Sequence, residues 1–148
     1  DVSRRRQVLE TAKRTAAVEL EDPEELEALM HLVEAQPDVD CVIHPALPSH
    51  PDHALWRRDF SGASGVFAFA LKPTAPERLK AMLEGYALFS MGFSWGGYES
   101  LIVPTDDNIK RSATAPHFAG PLLRISVGLE HCDDLIADLQ AGFGRLTA

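Results

Sequence analysis

Apolar and polar residues alternate along this chain in two different periods, and the change from one period to the other marks out the elements. From residue 3 to about residue 20, Val8, Ala12 and Thr15 or Ala16 recur at helical spacing among Arg and Glu, which predicts a helix. Asp22-Pro23-Glu24-Glu25 then reads as an N-cap, a proline at the first helical position and an acidic first turn, so a second helix is predicted over 23–36 with Leu26, Leu29, Met30 and Val33 as its stripe. Pro37-Asp38 stops it. The short β-branched run 39–43 predicts a strand, and 66–71, alternating large and small, predicts another. Thr74 is expected to cap a helix over 75–86 striped by Leu79, Met82 and Leu83. Runs 87–93 and 100–103 read as strands, and 104–121 as an irregular connection holding one short helix. In 122–128, Leu123, Ile125 and Val127 point one way while Leu122, Arg124 and Ser126 point the other. A last helix is predicted over 131–146, with Leu135, Ile136, Leu139 and Phe143 inward. Helices beside an antiparallel or mixed sheet make an α+β two-layer sandwich.

Two places break these patterns. Phe93-Ser94-Trp95-Gly96-Gly97-Tyr98-Glu99-Ser100 sets paired glycines between aromatics inside a strand-like run, where glycine weakens a strand. It reads either as a tight turn between two strands or as a ligand-facing loop whose N–H groups receive an anion. Arg124 is the other break. A mid-strand guanidinium among Leu, Ile and Val needs a wet face, a protein carboxylate or an anionic ligand. Guanidinium grips a carboxylate with two parallel hydrogen bonds, so the glycine loop and Arg124 together favour an anion.

Weaker signals sit between. Residues 44–53 hold three histidines and three prolines in an extended loop that leads into a short helix through Trp56. The prolines need not converge three imidazoles, and no Cys or carboxylate pattern accompanies them, so no metal site is assigned. Ser61-Gly62-Ala63-Ser64-Gly65 precedes a strand rather than opening a helix and lacks a Lys-Ser/Thr ending, which argues against a phosphate loop.

Charge narrows the partners. With 14 Lys+Arg against 22 Asp+Glu, a net charge of −8 argues against nucleic acid and anionic membrane. The Arg4-Arg5-Arg6 run reads as a solvated helix face. No apolar run reaches the ~18 residues of a membrane span and no signal-peptide pattern is present, so a soluble, cytoplasmic protein is expected. Cys41 and Cys132 are expected to be reduced thiols. The absence of an initiator methionine before Asp1 suggests a processed or excised segment, whether natural fragment, cut domain or engineered piece.

Ser94 through Leu101, Pro121 through Glu130, Asp133-Asp134-Leu135-Ile136, His44 through Pro48 and Trp56 through Gly65 together resemble the C-terminal domain of the cysteine/methionine-metabolism family of pyridoxal-phosphate enzymes, which has the aspartate-aminotransferase fold. Phe93 and Trp95 flanking the loop serine resemble its cystathionine β-lyase branch. The resemblance spans about 37–148, which divides the chain into an N-terminal helical segment (1–36) and a substrate-carboxylate domain (37–148). It implies that Arg124 binds the substrate α-carboxylate, and that the backbone at Ser94 and Trp95 helps hold it, with the serine near a Schiff-base lysine. It also implies a lyase that splits cystathionine into homocysteine, pyruvate and ammonia.

The departures from that pattern set a second expectation. The family's lysine, its aspartate and tyrosine partners of the cofactor ring, and its phosphate-binding residues belong to an upstream cofactor domain. Only Lys13, Lys72, Lys80 and Lys110 occur here, and Ala115 stands where the lysine would follow Ser112-Ala113-Thr114. These 148 residues alone are therefore expected to be silent, with no covalently bound pyridoxal phosphate. Their expected partners are the cofactor domain and an amino-acid substrate, and the surface meant for that domain should expose an apolar patch that favours a homo-oligomer. The alternative is a free-standing or engineered α+β scaffold or binding module without chemistry.

Overall fold

A computed structural model describes residues 23–105, 109, 110, 112 and 117–147. The helix expected over 3–20 and the Asp22 cap lie outside these. The described elements run α1 (Pro23–Glu34), β1 (Val39–Ile43), α2 (His53–Asp59), β2 (Val66–Leu71), α3 (Pro76–Glu84), β3 (Ser90–Met91), β4 (Leu101–Pro104), β5 (Leu122–Ser126) and α4 (Cys132–Thr147). The five strands form one sheet in the order β1-β2-β5-β4-β3, so β5, the strand of Arg124, is its centre. Three pairings are antiparallel and β3 runs parallel to β4, which makes the sheet mixed.

Side-chain alternation divides the sheet into two unlike faces. Phe67, Phe69 and Leu71 of β2, Ile102 of β4 and Leu123 and Ile125 of β5 point to one side. There they join Leu26, Leu29, Met30 and Val33 of α1, Met82 of α3, and Leu135, Leu139, Phe143 and Leu146 of α4 in one core. A bulge between Val39 and Cys41 shifts the phase of β1, so that Val39 and Val42 both reach this core despite their odd spacing. α2 buries none of its side chains. The architecture is the α+β sandwich read from the sequence, and the stripe of α1 packs into the same core as the strands.

The opposite face carries the smaller and more polar set: Ala68 and Ala70 of β2, Leu101 and Val103 of β4, and Leu122, Arg124 and Ser126 of β5. Leu101, Val103, Leu122 and Ser126 are nevertheless buried. Segment 92–100 lies on this side; a methyl group on Gly92 would touch the Leu101 side chain at 3.2 Å.

Several boundaries differ from the sequence reading for local reasons. Of the run 87–93, only Ser90 and Met91 pair in the sheet, because the N–H groups of Ala87, Leu88 and Phe89 donate to the Asp138 carboxylate instead of to a neighbouring strand. Thr74 does not cap α3: its hydroxyl donates to the Lys72 carbonyl, and extended Ala75 is the N-cap ahead of Pro76. No helix occurs among the described residues of 104–121. Among the described residues no helix is long and apolar enough to cross a membrane.

Candidate anion site at the centre of the sheet

The glycine-rich segment is not a tight turn. Because β3 and β4 are parallel, with Ser90 opposite Leu101 and Met91 opposite Ile102, the chain from 92 to 100 must travel back over the sheet before β4 begins. Gly96 makes this possible at its crown with φ +71°, a left-handed conformation that glycine adopts without a Cβ penalty.

Arg124 stands beneath the first arm of this crossover. Its strand neighbours are Ala68 and Val103, and the small alanine leaves room for the long side chain. Nη2 donates to the carbonyls of Gly92, Phe93 and Ser94 at 3.4, 2.7 and 3.0 Å. The partner of the guanidinium is therefore a set of backbone carbonyls, which the three options considered from sequence did not include. Nε is buried with no hydrogen-bond partner. An orphaned donor on a charged group costs roughly 1–3 kcal/mol, so such an atom marks a place where an acceptor is missing.

The rest of the crossover is tied down by side chains that the sequence reading did not single out. Ser126, on the same face of β5 as Arg124, accepts from Gly96 N at 3.1 Å. Glu130 accepts from Ser100 N at 2.9 Å and from Ser100 Oγ at 2.8 Å, and Ser100 Oγ in turn accepts from Gly128 N at 2.8 Å. Leu129 N donates to Tyr98 O. Gly128 has no room for a side chain, since a Cβ would lie 2.5 Å from Tyr98 O and from the Glu99 carbonyl carbon. At the entry, Asp138 of α4 takes three backbone N–H groups, at 2.7 to 3.2 Å from its Oδ2. The signal for Asp138 was present in the sequence: it lies on the buried stripe of α4 between Leu135 and Gly142, where a carboxylate needs donors.

The structure brings Ser94 and Trp95 to the same crossover as Arg124. Ser94 meets the guanidinium through its carbonyl, while the Trp95 ring is 66 % exposed. Phe93, Tyr98 and Met91 are exposed beside it, an apolar patch around an arginine. The three histidines of 44–53 do not converge. His44 Nδ1 accepts from Ala46 N, His50 Nδ1 accepts from Asp52 N, and His53 Nδ1 lies 3.0 Å from Pro45 O. Burial pushes the His44 imidazole below the usual histidine range. Behind this loop a groove of about 740 Å³ opens between Leu26, Met30, Pro48, Trp56 and the 61–64 segment.

Residues 20–144 match the model of the Cys/Met metabolism PLP-dependent enzyme family. The chain belongs to that family. The match begins upstream of residue 37 and so takes in α1, in keeping with the shared core. A cystathionine beta-lyase of Salmonella typhimurium is 51 % identical over 114 residues, which are 74 % of this chain and 29 % of that protein. A cystathionine beta-lyase of Escherichia coli is 49 % identical over 114 residues, again 74 % of this chain and 29 % of the relative. An L-alanine/L-glutamate racemase of Wolbachia pipientis is 45 % identical over 107 residues, covering 71 % of this chain and 27 % of its own. A solved cystathionine gamma synthase of Xanthomonas oryzae, in complex with aminoacrylate and cysteine, superposes with a TM-score of 0.72 at 31 % identity, over 84 % of this chain and 33 % of that one. The chain thus spans under a third of the length of the relatives it matches.

Pyridoxal phosphate, on which the family depends, is not a group that the described residues at the crossover fit. The side chains gathered at the crossover are a guanidinium, hydroxyls, carboxylates and aromatic rings, with no amine to hold an aldehyde. Two of the described lysines serve elsewhere: Lys72 Nζ donates to the Pro37 carbonyl, and Lys80 pairs with Glu84 along α3. What the orphaned guanidinium nitrogen fits is an anion.

Proposed function

We propose that this chain is the substrate-carboxylate part of a pyridoxal-phosphate-dependent carbon–sulfur β-lyase that acts on cystathionine, the reaction by which the Salmonella and Escherichia relatives, 51 % and 49 % identical, are named. The observation that carries the reading is Arg124: a cation at the centre of the sheet, with Nη2 fixed by three carbonyls and Nε lacking an acceptor. An α-carboxylate beside it supplies the missing acceptor, and fixing the carboxylate orients the amino acid for chemistry at its α and β carbons. Ser94 and Trp95 act through the backbone of the crossover, and the exposed indole bounds the space above the substrate. The similarity to a protein named as an alanine/glutamate racemase fits a part that holds an amino acid while the bond to be broken is chosen by groups from elsewhere.

With no lysine in the family's motif, these 148 residues turn over nothing alone. Their partner is the upstream cofactor domain, which covers Met91, Phe93, Trp95 and Tyr98. Without it the patch stays wet, and a mass that rises with concentration is expected in sedimentation; a strictly monomeric mass at high concentration would count against the proposed cover.

The test is an enzyme assembled from this chain and the cofactor domain of a cystathionine beta-lyase. It is expected to release pyruvate from cystathionine, while the chain alone with added pyridoxal phosphate releases none. Arg124→Leu in the assembled enzyme is expected to lower kcat/KM by on the order of 100-fold, since truncating a buried charge pair costs roughly 3 kcal/mol. Cofactor absorbance should be unchanged. Intact kinetics in that variant would sink the assignment, and a folded, cofactor-loaded but inert assembly would favour a binding module instead.

A further inference from the structure

The two ends of the stretch 87–100, which holds β3 and then the crossover, are held by carboxylates, and both carboxylates come from one stretch of chain. Glu130 lies two residues before α4 and grips the exit through the N–H and hydroxyl of Ser100. Asp138 lies in the second turn of α4 and grips the entry through the N–H groups of Ala87, Leu88 and Phe89, some 50 positions away in sequence. Neither carboxylate is joined to Arg124, whose Nη2 donates to carbonyls only. Asp138 is buried against its three donors, and Glu130 is partly buried. Between the two grips run β3, which offers only two residues of ladder, and the arm whose carbonyls receive Arg124. So short a ladder is a poor register device. The rigid body that fixes where those carbonyls sit is α4 with its leading turn, anchored in the core by Leu135, Leu139 and Phe143.

We infer that Glu130 and Asp138 are paired positioning residues: together they use α4 as a template that sets the distance between the segment entering β3 and the exit of the crossover, and hence the pose of Arg124 toward a substrate carboxylate. The inference rests on the carboxylate-binding role proposed above. Each acts through backbone N–H groups and not on the substrate. Their loss should therefore loosen recognition of the carboxylate without removing the cation that recognises it.

The experiment compares equilibrium binding of a non-reacting amino acid and its primary carboxamide to the assembled, cofactor-loaded enzyme, for the parent and for Glu130→Gln, Asp138→Asn and Arg124→Leu. Steady-state kinetics and thermal midpoints are measured alongside. In the parent, the carboxylate form should bind far better than the amide. Glu130→Gln and Asp138→Asn should each narrow that preference by on the order of tenfold, less than the roughly 100-fold that a full 1 Å misplacement can cost, and raise KM more than they lower kcat. A purely structural role would lower the thermal midpoint and leave the preference intact, and that result overturns the inference. Should Asp138→Asn fail to fold, Glu130→Gln at the more exposed grip decides alone. If Arg124→Leu itself keeps the preference, the carboxylate role falls, and the positioning inference falls with it. If Arg124→Leu loses the preference while both clamp variants keep it, only the positioning inference falls.

Discussion

Two irregular segments of this protein, the histidine-rich loop and the glycine-rich crossover, are built in opposite ways. In the histidine-rich loop at 44–53 the imidazoles bond close by in sequence, two accepting from the N–H two residues on and the third meeting a carbonyl eight residues back, while Ser49 ties the loop outward to Glu34. The crossover at 92–100 satisfies itself hardly at all. Its ties run to Arg124, Ser126, Gly128, Leu129 and Glu130, about 30 positions away, and its entry runs to Asp138. A locally bonded loop takes the shape its own residues prefer. A loop bonded only at long range has its shape imposed by the fold, and it is the second kind that ends beside a cation with an unfilled donor.

The comparison breaks most visibly at Gly128. Gly128→Ala pushes a methyl group into the backbone of Tyr98 and Glu99, so about 2 kcal/mol of stability should be lost, read as a shifted denaturation midpoint. An unchanged midpoint would mean that the crossover yields freely and is not imposed. The paired glycines sharpen the contrast within the crossover itself. Gly96→Ala forces a left-handed residue to carry a Cβ and should cost about 1 kcal/mol, whereas Gly97→Ala, with open space around it, should stay within about 0.5 kcal/mol. Equal effects would show that the crown does not depend on its left-handed turn.

In the histidine loop the smallest effect is one of pH. His44 is held neutral by burial, so its folded pKa lies below its unfolded value of 6.5. As pH falls below 6.5 the unfolded chain binds the proton first, and stability should decline until the folded pKa is passed. Above 6.5 this contribution is complete. A midpoint that is flat between pH 7 and 5 in the parent, or an equal slope in a His44→Gln variant, would remove His44 as the cause.

How much of this was legible in advance follows from the same distinction. The strands at 39–43 and 66–71 were readable to the residue, because β-branched and alternating runs are local signals. The core stripes of α1 and α4 were readable too. Arg124 stood out as a charge in an apolar strand. What it touches did not, because backbone carbonyls leave no trace in a sequence. The run 87–93 looked like strand by composition, yet a carboxylate from α4 took its first three N–H groups, and no local pattern announces a partner 50 residues on. Asp138 was visible as a misfit on a buried stripe, and Glu130 was not visible at all.

One last consequence follows from the two ends of the sheet. β1 is bulged at its start, with the charged Asp40 exposed at the irregularity, and β3 is only two residues long. Neither border offers the long, flat row of unpaired peptide groups along which strands add from molecule to molecule. Among the described residues, then, the sheet gives little purchase for the strand-on-strand growth that ends in fibres.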